Sequence, residues 1–245
     1  MFFRTFTSLL FFNCLFVTSL TAQQKITIPN GKDPVIITAD LYLIQDTLPY
    51  MILCHQAGSS RAEYMETANR LCKLGFNCIS IDLRAGNEIR GVRNETAVLA
   101  KSLHKSTDYI DAEQDIVSAV NFIFMKSKKQ VVLVGSSYSA SLALKIASSN
   151  SKVKAVIAFS PGEYFGNKLN IKNSISTLDK PVFVTSTKSE SAETSYLIQN
   201  IKSRKKTQFI PSYGEGQHGA SSLWKENKNE GEYWLALMAF ISGSL

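Results

Sequence analysis

The residues best suited to chemistry are a serine within a short run of small residues, GSSYS at 135–139. An apolar, β-branched run at 130–134 predicts a buried strand before it, and the helix formers of 140–147 predict a helix after it. So sharp a turn needs small neighbours and a residue that tolerates positive φ, and it lifts the hydroxyl of Ser137 away from the sheet. This is the geometry of a nucleophile elbow, in which the N–H of the next residue, Tyr138, helps to bind an oxyanion.

The run departs from the usual G-x-S-x-G pattern, because Ser139 stands where the second glycine is expected. Taken by itself, it is equally typical of an ordinary strand–loop–helix turn in an α/β protein. A serine hydroxyl is also a poor nucleophile near neutral pH, so it needs a base to take its proton and a third group to orient that base. The nucleophile hypothesis therefore depends on finding both partners elsewhere in the chain.

The sequence contains three histidines that could act as the base. His218 lies in a glycine-rich loop after the last predicted strand, and small residues on both sides predict a mobile, exposed loop that can swing over the elbow. His55 directly follows a predicted strand, and we expect its ring to bond neighbouring backbone and hold that loop. His104 is expected to be an exposed loop residue. We predict His218 as the base, the alternative being an ordinary surface histidine.

The third group should be a carboxylate on a loop that follows a strand. Glu190 is the only carboxylate in the segment 186–190, directly after the predicted strand 181–185. Glu163, which follows the preceding predicted strand, is the rival. We favour Glu190 and keep Glu163 as the alternative acid, and either of them could be an ordinary solvated carboxylate.

The composition describes a globular chain with a sizeable core. Its 245 residues, of which 44% are hydrophobic, suffice for one large domain or two small ones. The formal net charge is +7, but the lysines cluster only locally, at 126–129 and 202–206. Basic and aromatic residues do not alternate anywhere, so we predict no nucleic-acid partner. No Cys/His spacing resembles a metal site, and we expect neither a metal nor another cofactor.

The N-terminus has a basic start, an apolar run, and the small residue Ala22 before a polar stretch. This order predicts a secretory signal peptide over 1–22, and therefore a secreted or periplasmic mature protein of residues 23–245. A spanning helix is less expected, because the apolar run is short and interrupted by Asn13. The alternative is a lipoprotein anchored at Cys14, although the residues before it fit that signal poorly. No second hydrophobic span follows, so we predict no transmembrane segment in the mature chain.

The cysteines that would remain after this cleavage are Cys54, Cys72 and Cys78. Their odd number rules out complete pairing within one chain. Cys54 and Cys78 fall in strand-like runs, where buried free thiols are common. A Cys72–Cys78 bridge stays open as an alternative, and we favour no disulfide.

The elements that must position these side chains alternate between strand and helix from residue 51 onward. Two earlier strands, at 25–28 and 35–44, could form an antiparallel hairpin at a sheet edge. The alternation predicts one α/β domain with a mostly parallel central sheet, helices on both faces, and ligands beyond the C-terminal ends of the strands. The segment 86–108 shows little periodicity, and we predict a long polar loop that covers the site.

The chain resembles the α/β-hydrolase superfamily, and in particular its small dienelactone-hydrolase-like members, which lack a lid. The motifs that carry this resemblance are HQAG at 55–58, DxRxG at 82–86, the Ser137 elbow and GxHG at 216–219. The resemblance covers essentially the whole mature chain. It implies an α/β-hydrolase fold without a large lid domain, with Ser137 as nucleophile, His218 as base and the acid on the loop that holds Glu190.

The same resemblance implies that the backbone N–H of Gln56 completes the oxyanion hole beside that of Tyr138. Two departures from the family pattern concern the site. Ser139 replaces the elbow glycine, and the usual Gly-x-x-Asp acid turn reads TKSE at 187–190. The dienelactone hydrolases use a cysteine nucleophile where this chain has Ser137, so their substrate does not carry over.

These inferences predict an exported serine hydrolase that cleaves a small-molecule ester through a Ser-His-acid triad and an acyl-enzyme. A peptidase or acyltransferase that uses the same triad is a second hypothesis. A catalytically silent binding protein that kept the fold is a third. The substrate should depend on walls built by 86–108 and 162–178, and neither it nor the oligomeric state follows from the sequence.

Overall fold

A computed structural model describes residues 22–245, so the predicted signal peptide lies outside the described residues except for Ala22, which begins the first strand. The strands are β1 (Ala22–Ile28), β2 (Ile37–Leu43), β3 (Tyr50–Cys54), β4 (Asn77–Ile81), β5 (Glu88–Ile89), β6 (Val92–Arg93), β7 (Val131–Ser136), β8 (Val153–Phe159), β9 (Val182–Thr185) and β10 (Lys206–Phe209). Eight of them form one sheet in the order β1-β2-β4-β3-β7-β8-β9-β10, and β5 pairs with β6 in a separate hairpin.

The α-helices are α1 (Met65–Lys73), α2 (Glu95–Ser102), α3 (Glu113–Ser127), α4 (Tyr138–Ser149), α5 (Ile171–Ser174), α6 (Ser191–Ile198) and α7 (Glu230–Ser244). Short 3₁₀ helices occupy Arg61–Tyr64, Tyr109–Ala112, Gly166–Lys168 and Gly219–Leu223. Within residues 22–245, none of the helices combines the length and the apolar character needed to cross a bilayer.

The central sheet is parallel from β4 to β10, while β2 runs antiparallel to both of its neighbours, β1 and β4. The predicted α/β class with a mostly parallel sheet and an antiparallel edge hairpin is confirmed. Because parallel strands end at the same edge of a sheet, the loops after β3, β7, β8, β9 and β10 lie on one side of the molecule. These are the loops that carry the predicted site residues.

Both faces of the sheet are covered by helices, and alternate residues of each strand point to opposite faces. On β3, Ile52 and Cys54 belong to one buried cluster, whereas Met51 and Leu53 belong to the other. The first cluster includes side chains of α3, α4 and α6, and the second includes side chains of α1 and α7. Since both faces are buried, the strands are apolar throughout, which explains why runs such as 130–134 were recognisable in the sequence.

The segment 86–108 is not the irregular loop that its polarity suggested. It contains the hairpin β5–β6 and the helix α2. Asn94 starts this helix as its N-cap, because its side-chain oxygen accepts the N–H of Ala97 at 2.8 Å. Only Thr96, Ala97 and Ala100 of α2 are buried. So short a helix with so few large apolar residues leaves no clear period in the sequence, and for this reason the loop prediction was wrong.

The DxRxG motif forms two buried ion-pair groups rather than part of a reaction centre. Asp82 accepts the N–H and the guanidinium of Arg61, each at 2.8 Å. Arg84 binds Asp115 at 2.8 Å and Asp33 at 2.7 Å. A buried charge is costly unless it is paired, so these partners are structural necessities. Asp82 and Arg84 are therefore salt-bridged structural residues.

Cys54, Cys72 and Cys78 are all buried, and all three are free thiols in the structure. Burial raises the pKa of the Cys54 thiol far above its ordinary value, so this group stays protonated and inert. The sheet is therefore held by packing, hydrogen bonds and ion pairs.

Candidate active site

Ser137 sits in a sharp turn between β7 and α4. Its backbone has φ 58° and ψ −124°, and its N–H donates to the carbonyl of Phe159 at 2.8 Å. A positive φ costs a non-glycine residue about 1–2 kcal/mol, so the surrounding structure must hold it. Gly135 permits the turn, because a Cβ there would lie only 2.5 Å from Cα of Ala140 in the following helix.

Ser139 has a specific role at the position usually held by glycine. Its side chain is fully buried, and its hydroxyl lies 2.8 Å from the carbonyl oxygen of Cys54 at the end of β3. Ser139 Oγ also accepts the N–H of Ser136 at 2.9 Å. The hydroxyl therefore ties the turn to the neighbouring strand, and the departure from the usual glycine is accommodated by hydrogen bonds.

His218 and Glu190 form the most clearly functional contact in the molecule. Nδ1 of His218 is hydrogen-bonded to Oε1 of Glu190. The other carboxylate oxygen, Oε2, accepts the hydroxyl of Ser160 at 2.7 Å and the N–H of Thr187 at 3.1 Å. Burial by itself would raise the pKa of Glu190, but these donors outweigh it and lower the pKa to about 2. The carboxylate is therefore charged at neutral pH.

The imidazole of His218 is arranged as a base. The hydrogen bond that Nδ1 donates to Glu190 raises the pKa of His218 above the ordinary value of 6.5, and partial burial opposes that rise. Since Nδ1 faces a charged carboxylate, it carries the proton and leaves Nε2 as the acceptor. Within residues 22–245, Nε2 has no hydrogen-bond partner, and no direct bond joins it to Ser137 Oγ.

The histidine loop is packed against the elbow. The N–H of Ala220 donates to Ser136 Oγ at 2.8 Å, directly beside Ser137. Gly219 has φ 73°, and a Cβ there would lie 2.5 Å from Oε1 of Gln56. Gly219 and Ala220 are buried, whereas the side chain of His218 is 38% exposed. Residues 213–215 and Gln217 are exposed, as the glycines of this loop suggested, whereas residues 219–222 are buried against the elbow.

Glu163, the alternative acid, is engaged elsewhere. Its carboxylate accepts the N–H of Ile171 at 2.7 Å and that of Lys172 at 2.9 Å. These amides open α5 and have no partner within the helix, so the carboxylate caps it. The structure therefore brings Glu190, and not Glu163, to His218.

His55 holds the loop after β3, as predicted. Its Nδ1 is bonded to the carbonyl of Gln56 at 2.7 Å, and its Nε2 accepts the N–H of Leu83 at 2.9 Å. Nε2 therefore carries no proton, and Nδ1 donates. The ring is fully buried, and this burial lowers its pKa to about 4. His55 is accordingly a neutral structural residue.

The predicted oxyanion donor at Gln56 needs correction. Its N–H donates to Oε2 of the buried Glu63 at 2.7 Å, so it is not free to bind an oxyanion. The next N–H in the loop, that of Ala57, has no acceptor in the part of the chain that the structure describes. The N–H of Tyr138 lies at the first position of α4, where helix geometry provides no acceptor. The sequence could not reveal the contact with Glu63, which forms only on folding.

A groove of about 800 Å³ opens beside His218 and Glu190. Its lining residues include Tyr164, Tyr196, Leu197, Glu163 and Glu193. No Lys or Arg is among the lining residues identified within 22–245. The Tyr164 side chain connects this wall to the loop after β8, because its hydroxyl donates to the carbonyl of Ser160 at 2.8 Å. Segment 162–178 contributes to the walls as predicted, whereas 86–108 contributes none of these lining residues.

Comparison with known proteins identifies the family. The sequence profile of the Dienelactone hydrolase family matches residues 37–238. The chain belongs to the dienelactone hydrolase family. The matched region runs from β2 into α7 and so contains the elbow, Glu190 and the histidine loop. The resemblance inferred from the motifs is confirmed, although no curated protein sequence matches this chain significantly.

Solved structures show the fold of this dienelactone hydrolase family member. A dienelactone hydrolase from Anabaena variabilis has 16% identity and a TM-score of 0.68, over 90% of this chain and 96% of that one. An esterase from Pyrococcus furiosus has 17% identity and a TM-score of 0.68, over 91% and 93%. An acylaminoacyl peptidase from Pyrococcus horikoshii has 10% identity and a TM-score of 0.66, over 91% of this chain and 41% of that one. The predicted α/β-hydrolase fold without a large lid is confirmed.

The unusual acid turn of this family member has the reciprocal hydrogen bonds of a capping box, in the turn directly before α6. The N–H of Thr187 donates to Oε2 of Glu190 at 3.1 Å, and the N–H of Glu190 donates to Oγ1 of Thr187 at 3.2 Å. A Thr-x-x-Glu sequence before a helix is the known signature of this reciprocal pair. That pattern was visible in the sequence, and it would have indicated how TKSE fixes Glu190 in place of the usual Gly-x-x-Asp turn.

Ser160 and Glu63 are further residues of the site that the sequence did not indicate. Ser160 directly follows β8 and donates to Glu190, which lies beyond β9. Glu63 lies beside the loop after β3. Neither belongs to a local motif, because their contacts join loops that are distant in sequence. Among the described residues, no group of three or more His, Cys, Asp or Glu side chains is arranged to hold a metal ion.

Proposed function

We propose that this protein is an exported serine hydrolase that cleaves small-molecule carboxylic esters through Ser137, His218 and Glu190. The observation that carries the proposal is the hydrogen bond between Nδ1 of His218 and Glu190, on a loop packed against the elbow of Ser137. Membership of the Dienelactone hydrolase family supports hydrolysis of an ester bond. The fold shared with an esterase is consistent with that activity.

The first half of the reaction forms an acyl-enzyme. Nε2 of His218 takes the proton of Ser137 Oγ as this oxygen attacks the ester carbonyl carbon. The carbonyl oxygen becomes an oxyanion in the tetrahedral intermediate. When the intermediate collapses, the bond to the alcohol oxygen breaks and His218 returns its proton to the leaving alcohol. Glu190 stays ionised and stabilises the imidazolium that forms in between.

The second half hydrolyses the acyl-enzyme. A water molecule gives a proton to Nε2 of His218 and adds its oxygen to the acyl carbon. Collapse of the second tetrahedral intermediate breaks the bond to Ser137 Oγ, which regains its proton from His218. The products are a carboxylic acid and the alcohol, and the enzyme returns to its starting state.

The oxyanion is held by the N–H groups of Tyr138 and Ala57. These are the first amide of α4 and the free amide in the loop after β3. Donors that are in place before the reaction stabilise developing charge without reorganisation, and losing one costs about 2.7–4 kcal/mol of the barrier. The N–H of Gln56 is excluded from this role by its bond to Glu63.

The substrate binds in the groove beside His218. Tyr164, Tyr196 and Leu197 provide apolar surface, which favours an uncharged acyl or alcohol group. The carboxylates of Glu163 and Glu193 line the same groove without a lining Lys or Arg among the described residues, and they disfavour an anionic substrate.

Export follows from residues 1–22, which we propose are removed as a signal peptide. Cleavage after Ala22 would leave β1 beginning at Gln23, which pairs with Tyr42 of β2. N-terminal sequencing of the protein from the periplasm or medium should begin at Gln23. A lipid-modified N-terminus at Cys14, detected by mass spectrometry, would favour the anchored alternative instead.

The nucleophile is tested with a fluorophosphonate probe, which reacts only with an activated serine. The wild type should be labelled and should hydrolyse p-nitrophenyl butyrate, while Ser137→Ala should do neither. Ser148→Ala is the matched control, because its hydroxyl contacts only Thr177 at the surface. Labelling that persists in Ser137→Ala would contradict the assignment. Comparable turnover of a p-nitroanilide would favour a peptidase, and absence of both labelling and turnover would favour a silent binding protein.

A further inference from the structure

Glu63 is a fully buried carboxylic acid that the proposed reaction does not use. It lies in the 3₁₀ helix that follows the loop after β3. Its Oε2 accepts the N–H of Gln56 at 2.7 Å, whereas its Oε1 is buried without a hydrogen-bond partner among the described residues. Burial raises the pKa of Glu63, and the hydrogen bond from the Gln56 N–H opposes this rise. A group so costly to bury calls for a specific role.

The position of Glu63 joins three segments of the site. Its carboxylate binds the loop after β3 at Gln56 and lies close to the hydroxyl of Ser136, in the elbow. That hydroxyl also accepts the N–H of Ala220 from the histidine loop. The backbone carbonyl of Glu63 accepts Nε1 of Trp224, just beyond the same loop, at 2.9 Å. One buried residue is thus in contact with every segment that the proposed reaction needs, apart from the acid loop.

The contacts with Gln56 determine where the next amide points. The N–H of Gln56 donates to Glu63, and the carbonyl of Gln56 accepts a hydrogen bond from Nδ1 of His55 at 2.7 Å. The carbonyl of Gln56 and the N–H of Ala57 belong to one planar trans peptide unit, so they point in opposite directions. Fixing both polar groups of Gln56 therefore fixes the direction of the Ala57 N–H.

We propose that Glu63 is a positioning residue that clamps the loop after β3 through the Gln56 N–H and thereby presents the Ala57 N–H to the oxyanion. This inference rests on the proposed function. A carboxylate forms a shorter and stronger hydrogen bond with an amide than a neutral acceptor does, and it leaves less freedom to the loop. The role is realised only in the transition state, so it should affect kcat and not KM.

The test compares Glu63→Ala, Glu63→Gln and Glu63→Asp with the wild type, using p-nitrophenyl butyrate. Glu63→Ala should lower kcat about 100-fold, as expected when one oxyanion donor is misplaced, with KM within about threefold. Glu63→Gln keeps an acceptor oxygen at the same length and should recover kcat to within about tenfold of the wild type. Glu63→Asp keeps the charge but is one methylene shorter, so its kcat should fall more than that of Glu63→Gln. Glu66→Ala is the control, because the Glu66 carboxylate forms only a half-buried ion pair with Arg90.

The outcomes separate the positioning role from the proposed function. Folding of each variant is checked by its thermal unfolding midpoint. If Glu63→Ala does not fold, the kcat values of Glu63→Asp and Glu63→Gln are compared instead. Two results with an active wild type would overturn the positioning role alone. In the first, Glu63→Asp has an unchanged kcat. In the second, kcat is lowered as much in Glu63→Gln as in Glu63→Asp. A wild type that neither turns over the ester nor reacts with the fluorophosphonate overturns the proposed function, and the positioning role with it.

Discussion

Ser160 and Glu190 are joined by a hydrogen bond of 2.7 Å from the serine hydroxyl to Oε2 of the carboxylate. The same serine oxygen accepts the N–H of Gly219, next to His218, at 3.1 Å. Ser160 therefore connects the loop that carries the acid with the loop that carries the base. It holds φ 50°, an unfavourable backbone conformation that the surrounding contacts maintain.

Replacement of Ser160 should weaken this connection. We expect Ser160→Ala to lower kcat/KM about 10- to 100-fold, since a hydrogen bond to a charged group contributes roughly 1.5–3 kcal/mol. Steady-state kinetics on p-nitrophenyl esters measure the effect, and Ser148→Ala serves as the surface control. Wild-type kinetics in Ser160→Ala would show that Glu190 holds its position without this hydroxyl.

The two candidate acids make opposite predictions. Glu190→Gln removes the charge that orients and stabilises His218, and we expect kcat to fall about 10³- to 10⁴-fold. Glu163→Gln should leave kcat within about twofold, because this carboxylate caps α5. The same kinetic assay measures both variants. A larger loss in Glu163→Gln than in Glu190→Gln would reverse the assignment.

The pH dependence of kcat/KM should follow the ionisation of His218. Only the neutral imidazole can take the proton of Ser137, so activity should be lost as pH falls through the pKa of the histidine. Because Glu190 raises that pKa, the half-maximal pH should lie above 6.5 in the wild type. In Glu190→Gln the raising charge is absent, so the midpoint of the residual activity should move to lower pH. Profiles from about pH 4 to pH 9 measure both midpoints, and an unshifted midpoint in the variant would contradict this assignment.

Gly219 and Gly166 form a matched pair for testing the histidine loop. Both have positive φ, 73° and 53°, but a Cβ at Gly219 would lie 2.7 Å from Oγ of the buried Ser136, whereas Gly166 faces open space. Gly166→Ala should therefore lose about 1 kcal/mol of unfolding free energy through backbone strain alone. Gly219→Ala should lose roughly 1–3 kcal/mol more through overpacking, and it should also lower kcat. Urea denaturation and kinetics measure the difference, and equal losses would show that the loop has room to adjust.

The charge of the groove predicts a preference among substrates. We expect kcat/KM for p-nitrophenyl butyrate to exceed that for the anionic p-nitrophenyl hemisuccinate about tenfold, since the carboxylates of Glu163 and Glu193 repel the anion by roughly 1.4 kcal/mol. Glu193→Gln should narrow this ratio without changing turnover of the neutral ester. A preference for the anionic ester would mean that the substrate binds outside this groove.

Much of the fold could be predicted from the sequence because it depends on local patterns. Continuous apolar runs predicted the buried parallel strands, and the predicted strand 181–185 corresponds to β9, which spans Val182–Thr185. The helix α2 within segment 86–108 could not be predicted, since it is short and lacks large buried side chains. In the site, the spacing around Ser137 and the position of His218 after the last strand allowed both to be proposed. The Thr-x-x-Glu pattern of 187–190 is equally local, and its two reciprocal hydrogen bonds fix Glu190.

The contacts that join loops were decided only by the tertiary structure. The sequence alone supplied the turn at Ser137, the α/β alternation and the candidate base and acids, because each rests on neighbours within a few residues. Which acid meets His218, and which amide is left free for an oxyanion, depends on how strands far apart in the chain align in the sheet. Glu63 occupies the N–H of Gln56, and Ser160 supports Glu190, because folding brings buried polar groups together and each must find a partner. Sequence spacing carries no record of those partners.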